Sequence, residues 1–305
     1  MTRLLAALCV IFSLSIPAMA QDRGPYSFGM LVTNDSLGDG HDRWRTGSMA
    51  SSHVWAPGWT GEGDYGLGQV WELRVNAEVM GPENLATPAP LDRVYAQALS
   101  FGLHSHFRRN AIEYAIGGEL VLTGPMTQLD HVQEALHDVL GGRDASPATK
   151  AAQVSNDVDP AVVFEAGREF QLGQRTRLRP FVEARAGVET LVRAGADFTL
   201  GQFGQGGLLV RAPVTGHRYS VIQEAPYSGL SLMVGADTAY VHSSEFIPSS
   251  GPVQLNETRN RARAGLHWRS RAGSSVFYGL TWLDKEFGTQ REEQVVGSVQ
   301  LRIKF

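Results

Sequence analysis

Apolar and polar residues alternate with a period of two along most of this chain. At the C-terminus Val295, Gly297, Val299, Leu301, Ile303 and Phe305 fall on one side, and Val296, Ser298, Gln300, Arg302 and Lys304 on the other. Successive side chains of a strand point to opposite faces, so this spacing predicts a strand with one greasy and one wet face. The pattern returns in 73–79, 178–188 and 262–268, where Arg177, Arg179, Glu183, Arg185, Arg261, Arg263 and His267 stand opposite the apolar positions. A soluble sandwich also alternates, but it seldom carries so many arginines at strand centres. A transmembrane barrel turns apolar residues to lipid and charged ones inward. Trp55, Trp71, Tyr95, Phe107, Tyr240, Phe246, Trp282 and Phe287 lie near strand ends, as aromatic girdles do.

Twelve strands are predicted, at about 25–34, 44–55, 68–80, 92–106, 111–122, 160–171, 176–187, 190–201, 228–242, 257–270, 274–286 and 293–305. The expected fold is an all-β, 12-stranded antiparallel transmembrane β-barrel. An even count leaves both termini on the periplasmic side. The first extracellular loop is then the stretch after the first strand, "GPENLATPAP" (81–90) is the second, and 123–158 is the third and longest. Residues 202–227 become a long periplasmic connection that the pattern does not explain.

The third loop breaks the period. In 126–141, Met126, Leu129, Val132, Leu136, Val139 and Leu140 recur at helical spacing, which predicts one amphipathic helix in the third extracellular loop. Pro125 opens it, Thr127 and Asp130 form a capping box, and Gly141-Gly142 ends it. Asp130, Gln133, Glu134 and His137 share the polar face. His137 reads either as a solvent-exposed helix histidine or, if the helix packs beside the barrel mouth, as a general base near carboxylates.

Residues 1–20 have a basic start, a short apolar run and Ala18-Met19-Ala20, which together read as a signal peptide ahead of a barrel domain at 21–305. Cys9, the only cysteine, falls inside that segment, so the mature chain is expected to carry neither disulfide nor thiolate metal site. A net charge of −4 gives no argument for nucleic acid as a partner. Residues 31–48, "LVTNDSLGDGHDRWRTGS", crowd Asn34, Asp35, Asp39, Asp42 and Thr46 into one span. That is either a hairpin turn or a loop that holds a cation by hard oxygen donors.

The "ND" of the first loop, "DRWRTGS", "PEN…DRVYAQALSFGLH", "TGPMTQLDHVQEALHDVLG" and the C-terminal "YGLTWLDKEFGTQREEQVVGSVQLRIKF" together resemble the outer-membrane lipid A 3′-O-deacylase (LpxR) family. The most specific piece is the spacing of Gln133, His137 and Gly141. The resemblance implies hydrolysis of the 3′-linked acyloxyacyl ester of lipid A, in the bacterial outer membrane, with calcium. It implies His137 as the base that activates water, and Asn34, Asp35 and Thr46 as residues shaping the site. Asp35, Thr46 and Asp144 are the expected metal ligands. It also implies lipopolysaccharide and the barrel-assembly machinery as partners, and a monomer. Two positions depart from the family's pattern. Arg143 stands six residues after the histidine, where a calcium-binding glutamate is expected, and residues 80–91 contain no Lys or Arg. Two rival readings are a non-enzymatic barrel or narrow pore, and a serine-histidine phospholipase built on His242 and Ser244, although Glu245-Phe246 follows them.

Overall fold

The computed structural model describes residues 26–61, 63–140, 142–222 and 227–304. The expected signal segment, Gly141 and Phe305 lie outside the described residues. The wall begins with β1 (Tyr26–Asn34), β2 (Trp44–Trp55), β3 (Tyr65–Gly81), β4 (Ala96–Arg109) and β5 (Ile112–Thr123). It continues through β6 (Asp157–Arg168), its short extension β7 (Phe170–Gly173), β8 (Thr176–Ala186) and β9 (Glu189–Leu200). After a hairpin, β10 (Leu208–Arg211) and β11 (Arg218–Ile222), come β12 (Gly229–Ser244), β13 (Thr258–Arg269), β14 (Ser275–Leu283) and β15 (Gln294–Arg302). Each wall strand pairs antiparallel with its neighbours, β6 with β8 and β9 with β12. The sheet closes where β1 meets β15, with Val32 opposite Val299. Counting β6 and β7 as one strand, the barrel has twelve.

The pleat sorts the side chains as the alternation predicts. Along β3, Glu72, Arg74, Asn76 and Glu78 are buried in the lumen, while Trp71 and Leu73 are exposed on the outside. Luminal charges are paired: Arg74 Nε lies 2.8 Å from Glu72, Arg179 Nε 2.7 Å from Glu113, and Arg261 Nε 2.9 Å from Asp237. Pairing is what makes so many buried arginines tolerable, because removing one partner leaves a desolvated charge at a cost of about 3–5 kcal/mol.

The girdle holds for Trp55, Trp71, Tyr240 and Trp282, all exposed on the wall. It fails for Tyr95, Phe246 and Phe287, which are buried. Phe246 joins Met80, Ala96, Ala98, Val121 and Val188 in an apolar cluster, and Phe287 packs with Trp44, Ile247 and Val253. These aromatics are loop core, not lipid contacts.

The unexplained connection proves to be a plug. β10 and β11 leave the periplasmic rim and fold into the lumen. Tyr219 and Val221 are fully buried against Leu31, Val54 and Phe277 of the wall. Tyr219 shares a 2.6 Å hydroxyl contact with Ser52, Gln300 Nε2 donates to Ser220 O at 2.9 Å, and Arg261 Nη1 donates to Pro213 O at the hairpin's tip. Arg211 bonds Glu165 and Asp197. Gly29 is required here, since a Cβ at this position would lie 2.3 Å from Ser220 O. The strands escaped sequence reading because both are short and each carries an arginine that the lumen, not water, satisfies.

Replacing residues 207–222 with a short Gly-Ser turn should leave a heat-modifiable barrel that conducts more in planar bilayers than the intact protein. Unchanged conductance in a folded variant would mean that the ion pairs alone close the lumen.

Candidate active site

The site forms on the outer face of the wall, not in the lumen. Ala98, Ser100 and His104 of β4 line luminal cavities, whereas Phe101 and Leu103 are exposed to the outside. Gln97 shares the outward parity, yet it is fully buried, as is Tyr95 just ahead of the strand. Both are roofed by the third loop: helix α1 (Leu129–Leu140) and the 3-10 turn Pro125–Thr127 before it. Tyr95 Oη donates to Gln133 Oε1 at 2.6 Å. Gln97 Oε1 accepts from the Asp130 N–H at 2.9 Å and from Thr127 Oγ1 at 3.0 Å. The expected capping box of Thr127 and Asp130 is therefore replaced by a glutamine from the wall. It satisfies an orphan N–H of the first turn from outside the helix.

Thr46 reaches the same face through a β-bulge. The β2–β3 register shifts between Arg45 and Gly47. Arg45 points into the lumen, pairing with Glu78 and Glu286 at 2.6 and 2.7 Å. A bulge re-aims the next side chain, and Thr46 Oγ1 meets Val79 O at 3.2 Å and accepts from Gln133 Nε2 at 3.3 Å. Asn34 ends β1 on the outer side. Its Nδ2 donates to Thr46 O at 2.8 Å, and its Oδ1 caps the 3-10 turn Asp35–Leu37 by accepting from Ser36 N.

His137 lies on the inward side of α1 with its ring 11% exposed. Nδ1 is 3.1 Å from Asp144 Oδ1, and Nε2 faces the first loop, 3.2 Å from Asp42 Oδ2. The Asp42 oxygen is buried without an aligned hydrogen bond. Gly142 N donates to His137 O, and a Cβ at Gly142 would come within 2.5 Å of the imidazole, so a glycine is needed where the ring packs.

Asp35 is 1% exposed. Its Oδ2 accepts from Arg43 N at 3.0 Å. Burial, with the charge of Asp42 second, pushes its carboxyl up to about 8. Burial also raises Asp42, against the opposing pull of His137. Asp39, an expected oxygen donor, is occupied by Val295 N, His41 N and Arg43. Asp144 sits on the imidazole, and Thr46 Oγ1 is shared between Val79 and Gln133. Among the described residues, no three His, Cys, Asp or Glu groups are gathered to hold a metal ion. Arg143 is exposed.

The structure thus brings Asn34, Asp42, Thr46 and His137 to one edge, with Asp35 tying the first loop. It adds Tyr95 and Gln97, which sequence reasoning did not place at the site, and it gives Gln133, singled out there only by its spacing from His137, a contact to both Tyr95 and Thr46. The unused signal was parity, since two polar side chains at 95 and 97 fall in phase with the lipid-facing Phe101 and Leu103. The serine-histidine alternative fails on geometry. The β12 register shifts between Val241 and Ser243, leaving His242 exposed while Ser244 Oγ donates to Glu189 at 2.8 Å.

The buried carboxyl of Asp35 predicts a pH-dependent stability for the barrel. Its carboxyl holds a proton in the folded state from its ordinary 3.8 up to about 8, so the folded state binds more protons there and loses stability as pH rises. The heat-modification midpoint should fall between about pH 6 and pH 8 (roughly the upper half of that window), and Asp35→Asn should flatten the fall. Equal slopes in both proteins would show that another group is responsible.

A solved structure shares the fold. LpxR from Salmonella typhimurium superposes with a TM-score of 0.72 at 17% identity, covering 92% of this chain and 100% of that one. The β domain of the Bordetella autotransporter BrkA covers 92% of this chain and 99% of its own, at 10% identity and a TM-score of 0.44, too low to carry an argument. A search of curated proteins gave no match. The family model described as outer membrane protein LpxR matches residues 4–305, and the chain therefore belongs to the LpxR family of bacterial outer-membrane barrels.

Proposed function

We propose that this protein is an outer-membrane lipid A deacylase that hydrolyses the 3′-linked acyloxyacyl ester with a water activated by His137. The observation that carries this reading is the position of His137, held between two carboxylates on the lipid-facing side of the wall. An ester buried in the outer leaflet reaches that edge from the membrane. A lumen filled by a hairpin and paired charges supports the same reading over a pore.

Hydrolysis needs a base and a donor for the oxyanion. Asp144 orients the ring through Nδ1–H, leaving Nε2 to take the water's proton on the side of the first loop. Asn34 donates one N–H to Thr46 O and has a second, which stabilises the oxyanion. Thr46, Gln133 and Tyr95 clamp α1 to the wall and so fix His137. The imidazolium then returns the proton to the leaving alcohol. In this reading lipopolysaccharide is the partner, the barrel-assembly machinery inserts the chain, and it works as a monomer.

Calcium belongs to the proposal through Asp35, a buried carboxyl pushed toward its neutral form that a cation would return to its charged one. The other expected ligands are engaged elsewhere, so every step above is assigned to side chains, and bound calcium would support them by ordering the first loop around Asp35.

His137→Ala should lower lipid A deacylation by about 10²–10⁴-fold while keeping heat-modifiable mobility; mass analysis of lipid A reads the result. Wild-type activity in the folded variant would overturn the assignment. Calcium titrated into chelator-treated enzyme should restore activity, and Asp35→Asn should raise the calcium needed. Full activity in chelator that is lost in Arg143→Gln would give the electrostatic role to the arginine.

A further inference from the structure

The helix α1 is mounted in reverse for a soluble protein. Gln133 and His137, from its polar side, are turned inward onto the wall, whereas Val132 is 48% exposed and Ala135 is exposed beside it. Leu129 and Leu136 are half-exposed, and Met126, just before the helix, is exposed. At roughly 100° per residue, four directions around the axis can be named. Gln133 and His137 point inward to the wall. Asp130 and Glu134 point to Lys150 of helix α2 (Pro147–Ala151), whose ammonium lies 3.0 Å from Asp130 and also pairs with Glu134. Val132 lies roughly 160–200° around from that pair. Asp138 and His131 are exposed on the outer, polar side.

The α2 side of the helix is the mouth side. Thr149 of α2 donates to Leu85 O in the second loop, and Val154 packs on the cluster of Met80, Val188 and Phe246 across the mouth. The apolar side of α1 therefore faces away from the mouth. It looks along the outer wall, in line with the exposed Phe101, Leu103, Leu120 and Val158. That wall belongs to an outer-membrane barrel, so the surface continuous with it is a lipid surface.

We infer that α1 lies in the plane of the outer leaflet, with Leu129, Val132 and Leu136 embedded among fatty acyl chains, and that this seating sets the depth of His137. An amphipathic helix in this position buries its apolar face by roughly 5–10 Å below the headgroups. The occupant is the acyl layer of the bilayer itself. The inference rests on the outer-membrane location and the helix geometry, not on the proposed reaction.

The test reads depth, not turnover. With Cys9→Ser as background, Val132→Cys, Leu129→Cys and Asp138→Cys each receive an environment-sensitive fluorophore in the full barrel. The proteins are placed in phospholipid nanodiscs with or without lipids brominated near the head of the acyl chain. Probes at 132 and 129 should be quenched by bromolipid and protected from aqueous iodide, and the probe at 138 should behave oppositely. Heat-modifiable mobility verifies folding, and the two apolar sites back each other if one variant misfolds. Iodide quenching at 132 and 129 equal to that at 138, without bromolipid quenching, would overturn the seating. If the seating holds while His137→Ala keeps full deacylation, only the proposed reaction fails.

Discussion

A sheet that spans a bilayer must close on itself, because an unpaired backbone group in hydrocarbon costs several kcal/mol, on the order of a folded domain's whole margin. Closure joins β1 to β15 and leaves two faces with opposite solvents. Charges go inward and apolar side chains outward. Every polar residue on the outer face then needs a partner that the membrane does not offer. Asn34, Thr46, Gln97 and Tyr95 are four such residues at one edge. Each is answered by its neighbours or by the third loop, and the cover that answers them also carries His137.

That constraint explains what was legible. The strands could be read because lipid and lumen impose a strict period of two on long segments, and the observed ends fall within a few residues of those expected. Strand 92–106 starts later, at Ala96, because Asp92 to Tyr95 are loop residues; Asp92 accepts from Glu83 N, and Tyr95 packs beneath α1. The plug was illegible for the opposite reason. Its partners are luminal residues far away in sequence, such as Gln300 and Glu165, so no local period marks it.

At the site, helical spacing gave α1 and placed Gln133 and His137 on one side, but it could not say which side faces the protein. In water an amphipathic helix buries its apolar face. Beside a lipid-facing wall the preference inverts, since the apolar face already has a solvent and the polar face needs hydrogen bonds. The same inversion hid Tyr95, read as a girdle aromatic although its hydroxyl holds Gln133.

The two faces are not mechanically independent, and the bulge at Thr46 is where they meet. Arg45 is locked in the lumen by Glu78 and Glu286, and its backbone N–H donates to Gln294 at 3.1 Å. Thr46, one residue on, receives Gln133 outside and offers its carbonyl to Asn34. A luminal ion pair therefore fixes the backbone from which the outer site is built. The charged interior of this barrel, filled by its hairpin plug, is thereby the rigid mount for the candidate site on the opposite side of the wall.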